Sequence, residues 1–183
     1  MSKKRAGSMA DPTKLKPLKS NDEKLQVVIE TPKGFSHNKF AFDPEQRVFM
    51  LKKVLPAGMT FPYDFGFLPR TKAPDGDPID VLLFMDEPAY PGCVVTSRLI
   101  GVIEGEQIDG KKKVRNDRLM AVAEANHTYA YLKKVRDLPD QFLRELEEFF
   151  VNYHKLEGKK YRLLGCKGAH AAMTLIGDAK KAA

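Results

Sequence analysis

Nothing in this 183-residue chain is apolar for long enough to cross a bilayer, since no uninterrupted run approaches the roughly 20 residues a helical span needs. No apolar segment follows the basic start Met1-Ser2-Lys3-Lys4-Arg5, so no secretory signal is expected. Cysteine is scarce. Cys93 and Cys166 stand apart, with no Cys-x-x-Cys and no Cys/His spacing. That argues against a zinc site and leaves two buried, reduced thiols in a cytoplasmic protein as the expectation. Internal repeats are missing, and so is any low-complexity segment beyond the first residues. Length and an ordinary apolar fraction of 43% describe one domain with a proper core.

Excess charge is also largely missing once it is divided along the chain. Residues 1–20 hold Lys3, Lys4, Arg5, Lys14, Lys16 and Lys19 against Asp11, so +5 of the formal +7 sits there and only +2 in the other 163 residues. A segment this basic and this poor in apolar residues is expected to be a disordered tail over 1–20, with a single domain over 21–183. The body gives little support for nucleic acid as a partner.

What is present reads first as strands. Leu25–Thr31, Lys39–Phe42, Val48–Val54, Val81–Met85, Val94–Ile103 and Leu119–Ala125 are β-rich, separated by Pro, Gly and Asp turns. Phe61–Phe67 reads as irregular and aromatic. Ile108-Asp109-Gly110-Lys111 signals a hairpin. Beyond residue 137 the period changes: Phe142, Leu146, Phe149, Phe150 and Tyr153 follow helical spacing from Pro139 to Gly158, and a shorter helix is expected over Ala169–Ala179. Short strands followed by helices predict an α+β domain around a small antiparallel barrel.

The most informative stretch is Asp75-Gly76-Asp77-Pro78-Ile79-Asp80, directly before Val81-Leu82-Leu83-Phe84. Three carboxylates held together by a glycine and a proline repel, and each resists ionising beside the others. A hard cation such as Mg²⁺ relieves the conflict and meets phosphate readily. Asp, Gly and Pro also make plain solvated turns, which is the competing reading. Asp80, at the edge of an apolar run, is not needed for a turn.

This run resembles the defining pattern of the soluble family I inorganic pyrophosphatases. Val28-Ile29-Glu30 with Pro32, Leu51–Pro56, Phe61-Pro62-Tyr63-Asp64-Phe65-Gly66-Phe67, Asn116-Asp117-Arg118-Leu119 and Leu138-Pro139 through Tyr153 resemble further family segments, in the same order. The resemblance covers about residues 24–165. It implies a five-stranded antiparallel barrel of the OB type with flanking helices, and a homo-oligomer such as a hexamer. It further implies hydrolysis of pyrophosphate to two orthophosphates with Mg²⁺, with Mn²⁺ as a substitute, while the lack of a long apolar run already predicts no membrane partner.

By the same resemblance, Asp75 and Asp80 bind activating metals, Asp77 sits at the attacking water as ligand or proton acceptor, and Glu30 holds a metal-bound water shell. Lys39, Lys53, Arg118 and Tyr153 contact phosphate. Ala41, Phe65 and His154 depart from the family's Glu, Tyr and Lys. Asn116 occupies the position of a further metal carboxylate, so Asp117 can serve only if the register shifts, with Glu104, or Glu106, as the carboxylate across from it. These departures leave two alternatives in view: a hydrolase of another small phosphoanhydride, such as a short polyphosphate or nucleotide, and a non-catalytic metal- and phosphate-binding protein.

Overall fold

A computed structural model describes residues 11–19, 24–34 and 36–183. The chain forms β1 (Lys24–Thr31), β2 (Asn38–Asp43), β3 (Val48–Val54), β4 (Asp64–Leu68), β5 (Ile79–Phe84), β6 (Val94–Asp109), β7 (Lys112–Arg115) and β8 (Arg118–Ala123). Helix α1 (Asp140–Lys155), strand β9 (Lys160–Gly168) and helix α2 (Ala169–Lys181) complete it, with short 3-10 turns at Pro12–Lys14 and Val135–Asp137.

Five strands close into a ring in the order β1-β4-β5-β8-β6, with β6 pairing back onto β1. Four seams are antiparallel and one, β5–β8, is parallel. The parallel seam refines the expectation of an antiparallel barrel, and it matters for the site because it sets Asp80 opposite Arg118. Gly66 allows the β1–β4 seam, since a Cβ there would lie 2.0 Å from the Val28 carbonyl oxygen.

The ring is buried on both faces, so β5 and β8 read as continuous apolar runs rather than alternating ones. Leu82, Phe84, Met120 and Val122 pack with Leu146 and Phe150 of α1. Their neighbours Val81, Leu83, Leu119 and Ala121 pack with Ala172 and Ile176 of α2. The period-2 alternation of a strand thus divides one run between two cores. Helix α1 starts after Pro139 and carries Lys155 in its last turn, which favours cations. Gly158, at φ +72°, releases the chain into β9.

Two expectations are corrected here. Phe61–Phe67 is not wholly irregular, because β4 begins at Asp64. Residues 11–19, expected within a disordered tail, lie against the body. Asp11 caps the first 3-10 turn by accepting from Thr13 N at 3.0 Å, Arg70 Nε donates to the Lys14 carbonyl at 2.9 Å, and Leu18 bridges Leu25. Leu18 also packs on the core beside β1, a local apolar contact that net composition hides. Residues 1–10 and 20 of that expected tail lie outside the described residues.

Candidate active site

A cavity of about 590 Å³ opens at one end of the ring, between the β4–β5 turn, the β2–β3 hairpin, the β6–β7 hairpin and the end of α1. The acidic turn is built locally. Gly76 adopts φ +98°, Asp75 Oδ1 accepts from Asp77 N at 3.2 Å, and Ala73 N donates to the Asp77 carbonyl at 2.7 Å. Beneath it the buried Thr71 hydroxyl donates to the Leu68 carbonyl at 2.6 Å and accepts from Ile79 N at 3.0 Å. Turn and strand are thereby stapled together, and Asp75, Asp77 and Asp80 all line the cavity.

Glu30, on β1, joins this wall electrostatically while its Oε1 accepts from Phe42 N at 2.8 Å. Burial pushes Glu30 up to about 7, and Asp80 and Asp77 add to the rise. Burial likewise raises Asp80 to about 6, against the pull of Arg118 and Lys39. Asp75 is raised by burial and by Asp77. These are acids that crowd one another in a partly dry place.

Cationic and hydroxyl groups face them. Lys39 and Lys53 are cross-strand neighbours on β2 and β3, and both meet Tyr153. Lys39 Nζ donates to Tyr153 Oη at 2.9 Å; Lys53 Nζ lies 3.8 Å from that ring's centre and pairs with Glu157. Burial opposes the charge on Lys39, yet Tyr153, Asp80 and Glu30 hold its pKa above the usual value. Arg118 is only 2% exposed. Its guanidinium carbon stacks 4.0 Å from the Phe150 ring, Nη1 donates to the Asn116 carbonyl at 3.3 Å, and Nε lies 3.6 Å from Asp80 Oδ2. His154 lines the same cavity at 3% exposure, and among the described residues neither ring nitrogen has a hydrogen-bond partner. Burial, with Arg118 close by, pushes it down to about 4, so it is neutral near pH 7. Phe65 contributes a ring and no hydroxyl.

Asp117 and Glu104 do not join this site, contrary to expectation. Asp117 Oδ1 accepts from Gly105 N and from Arg115 Nη2, both at 2.9 Å, and Glu104 pairs with Arg115 at 3.1 Å and Lys167 at 3.0 Å. Neither lines the cavity, nor does Glu106, which pairs with Arg162. The reason is register. Asn116 N donates to the Gly105 carbonyl at 2.9 Å, so Asn116 faces Gly105. Neighbours on a strand point to opposite faces, and no shift or bulge brings Asp117 inward.

Sequence reasoning missed Gln107, Asp109, Lys112, Lys52, Glu157 and Lys159 on the cavity wall. For the hairpin residues a signal existed: once the turn at Asp109-Gly110 is placed, Gln107, Lys112 and Asn116 share a face.

Among the described residues, no three His, Cys, Asp or Glu side chains converge closely enough to hold a metal unaided. The donor set nevertheless suits a hard dication. It is all carboxylate oxygen, its members repel when ionised, and water or phosphate oxygens complete such a shell. Cations on one side and acids on the other can bind a metal–phosphate complex and bring water to it.

A family model described as inorganic pyrophosphatase matches residues 27–183. An inorganic pyrophosphatase of Synechocystis is 41% identical over 157 residues, covering 86% of this chain and 90% of its own. One of Methanosarcina acetivorans is 35% identical over 154 residues, covering 84% and 89%. The crystal structure of the Thermus thermophilus inorganic pyrophosphatase superposes with a TM-score of 0.86 at 29% identity, covering 94% of this chain and 98% of that one.

Proposed function

The chain belongs to the inorganic pyrophosphatase family, and on that premise we propose how its cavity splits the substrate. The protein is an inorganic diphosphatase: water and pyrophosphate give two orthophosphates, with one P–O bond broken and one formed. Little covalent chemistry is asked of the protein, so catalysis is positioning and electrostatics.

Asp75, Asp77, Asp80 and Glu30 are the residues that hold divalent cations, Mg²⁺ or in its place Mn²⁺. Bound there, such ions acidify water and neutralise phosphoryl charge. Asp77 accepts the proton of the attacking water. Tyr153 already accepts from Lys39, which leaves its own hydrogen to donate to a phosphoryl oxygen. Lys39 and Lys53 meet the same group, and the anion competes with Glu157 for Lys53. Arg118, stacked and nearly sealed, holds Asp80 on one side and reaches substrate on the other.

The observation that carries this reading is the facing of the acidic turn and the Lys39–Lys53–Tyr153 cluster across one cavity. A homo-oligomer, up to a hexamer, fits the apolar side chains exposed on β3, Val48 at 40%, Met50 at 40%, Leu51 at 52% and Val54 at 63%. Cys93 is exposed and Cys166 half-buried, contrary to the expectation that both are buried, and two free thiols fit the cytoplasm. No described helix is long and apolar enough to cross a membrane. The test is phosphate release from pyrophosphate with Mg²⁺. Activity should vanish with EDTA and in Asp80→Asn; release unchanged in Asp80→Asn refutes the assignment.

A further inference from the structure

The carboxylates deep in the cavity all stand on one side, in the β4–β5 turn and at the start of β5. The facing wall is the β6–β7 hairpin, whose inward positions are Gln107, Asp109, Lys112, Val114 and Asn116. Asp109 lies at the exposed tip, paired in register with Lys112. Deeper in, beside the apolar Val114, the polar groups of the wall are two amides: Asn116 Nδ2 lies 3.5 Å from Gln107 Oε1.

Alternation explains why. Positions 107 and 109 on β6, and 112, 114 and 116 from β7 onward, point inward, so 104, 106, 115 and 117 point out. Each carboxylate in the outward set meets a cation there: Glu104 with Arg115 and Lys167, Glu106 with Arg162, and Asp117 with Arg115. A slip of one residue would carry Arg115 and Asp117 into the cavity and break these pairs, so the outer network guards the register.

Amides differ from carboxylates in what they hold. Each has one neutral acceptor oxygen and two N–H donors, and the contact between them occupies at most one of the four donors. Two amide oxygens bring no charge to offset a dication, whereas free N–H groups suit phosphoryl oxygens.

We propose that the Gln107–Asn116 wall is a phosphate-contacting surface with no cation of its own. It holds the far phosphoryl group of the substrate through amide N–H groups, with Lys112 beside it, while divalent cations load only from the Asp75–Asp80 side. The inference rests on the pyrophosphate reading above and adds the form of substrate taken, one whose far end is neutralised by side chains rather than by further ions. Arg115 is then a positioning residue that keeps Asn116 inward and Asp117 out.

Counting Mn²⁺ by electron paramagnetic resonance, with methylenediphosphonate as a non-hydrolysable analogue, tests it. Asn116→Asp is expected to bind one more Mn²⁺ per chain than wild type. Gln107→Glu, on the same inward face, offers a second route to that added ion should Asn116→Asp not fold. Asn116→Leu is expected to keep the wild-type count while weakening the analogue about tenfold, the loss of one hydrogen bond to a charged group. An unchanged count in both acidic variants, or an ion lost in Asn116→Leu, overturns the proposal. A wild type that binds no Mn²⁺, or an Asp80→Asn variant that binds as many as wild type, instead overturns the metal reading beneath it.

Discussion

Replacing His154 by leucine should change how stability depends on pH, by an amount that can be worked out. His154 is buried, neither ring nitrogen has a hydrogen-bond partner among the described residues, and its pKa falls from 6.5 to about 4. The unfolded chain therefore takes up a proton as pH drops below 6.5, while the folded chain resists until about pH 4. Stability from this group is complete above pH 6.5 and is lost as pH falls through that window. For these two values the loss relative to pH 7 is about 2 kcal/mol at pH 5 and about 3 kcal/mol at pH 4. Four charged groups set the local field: Arg118, Lys53 and Lys159 disfavour the imidazolium, and Glu157 favours it. Other acids also titrate in this range, so the wild-type curve alone does not isolate the effect. The difference between wild type and His154→Leu does. Urea unfolding at pH 8, 7, 6 and 5, without phosphate and with EDTA, should show the variant gaining about 2 kcal/mol on wild type between pH 7 and pH 5. A difference that stays constant across that range refutes the reasoning.

The remaining perturbations follow the same logic. Asp64 is buried, its Oδ2 has no hydrogen-bond partner among the described residues, and burial raises it from 3.8 to about 6, so its burden on the fold appears as pH rises through 3.8 to 6. Asp64→Asn should raise stability by about 1–2 kcal/mol at pH 8 and leave it unchanged at pH 4; an equal effect at both pH values contradicts this. Tyr153→Phe keeps the ring packed on Phe61 and Phe149 but removes the oxygen shared with Lys39. It should lower kcat/KM about tenfold with a stability change below about 1 kcal/mol, and an unchanged kcat/KM removes Tyr153 from the phosphate contacts. Phe150→Ala deletes a buried ring beneath Arg118 and should cost about 3–5 kcal/mol in thermal or urea unfolding, with activity falling as Arg118 loses its platform.

How far the sequence could be read depended on whether a feature was local. Asp75–Asp80 states its own geometry, because a glycine and a proline set the turn and an apolar run fixes the next strand. Strands β1, β2 and β3, the hairpin turn and helix α1 were legible for the same reason, from period and punctuation within one window. Strand β9 was not. Its nine residues, Lys160–Gly168, lie between two helices, alternate poorly and include Gly165 and Gly168. What makes them a strand is the second half of the long β6, which needs a partner after leaving the ring. The hairpin wall failed differently. Four acids, Glu104, Glu106, Asp109 and Asp117, crowd the sequence there, and the family resemblance pointed to Asp117 with Glu104 or Glu106. Only the register, fixed by Asn116 facing Gly105 and by the outer ion pairs, shows that amides rather than these two acids face the cavity. Residues 11–19 show the limit of composition, since one capping aspartate and one packed leucine outweigh a run of lysines.

The central claim is that the acidic turn and β5 gather divalent ions opposite the phosphate-binding cations. Anomalous diffraction from a crystal soaked in Mn²⁺ and phosphate tests it most directly. The account predicts Mn²⁺ peaks against Asp75, Asp77 and Asp80, with phosphate between them and Lys39, Lys53 and Tyr153. Mn²⁺ held instead by Glu104 and Asp117 on the outer face, or a cavity with phosphate and no metal, contradicts it.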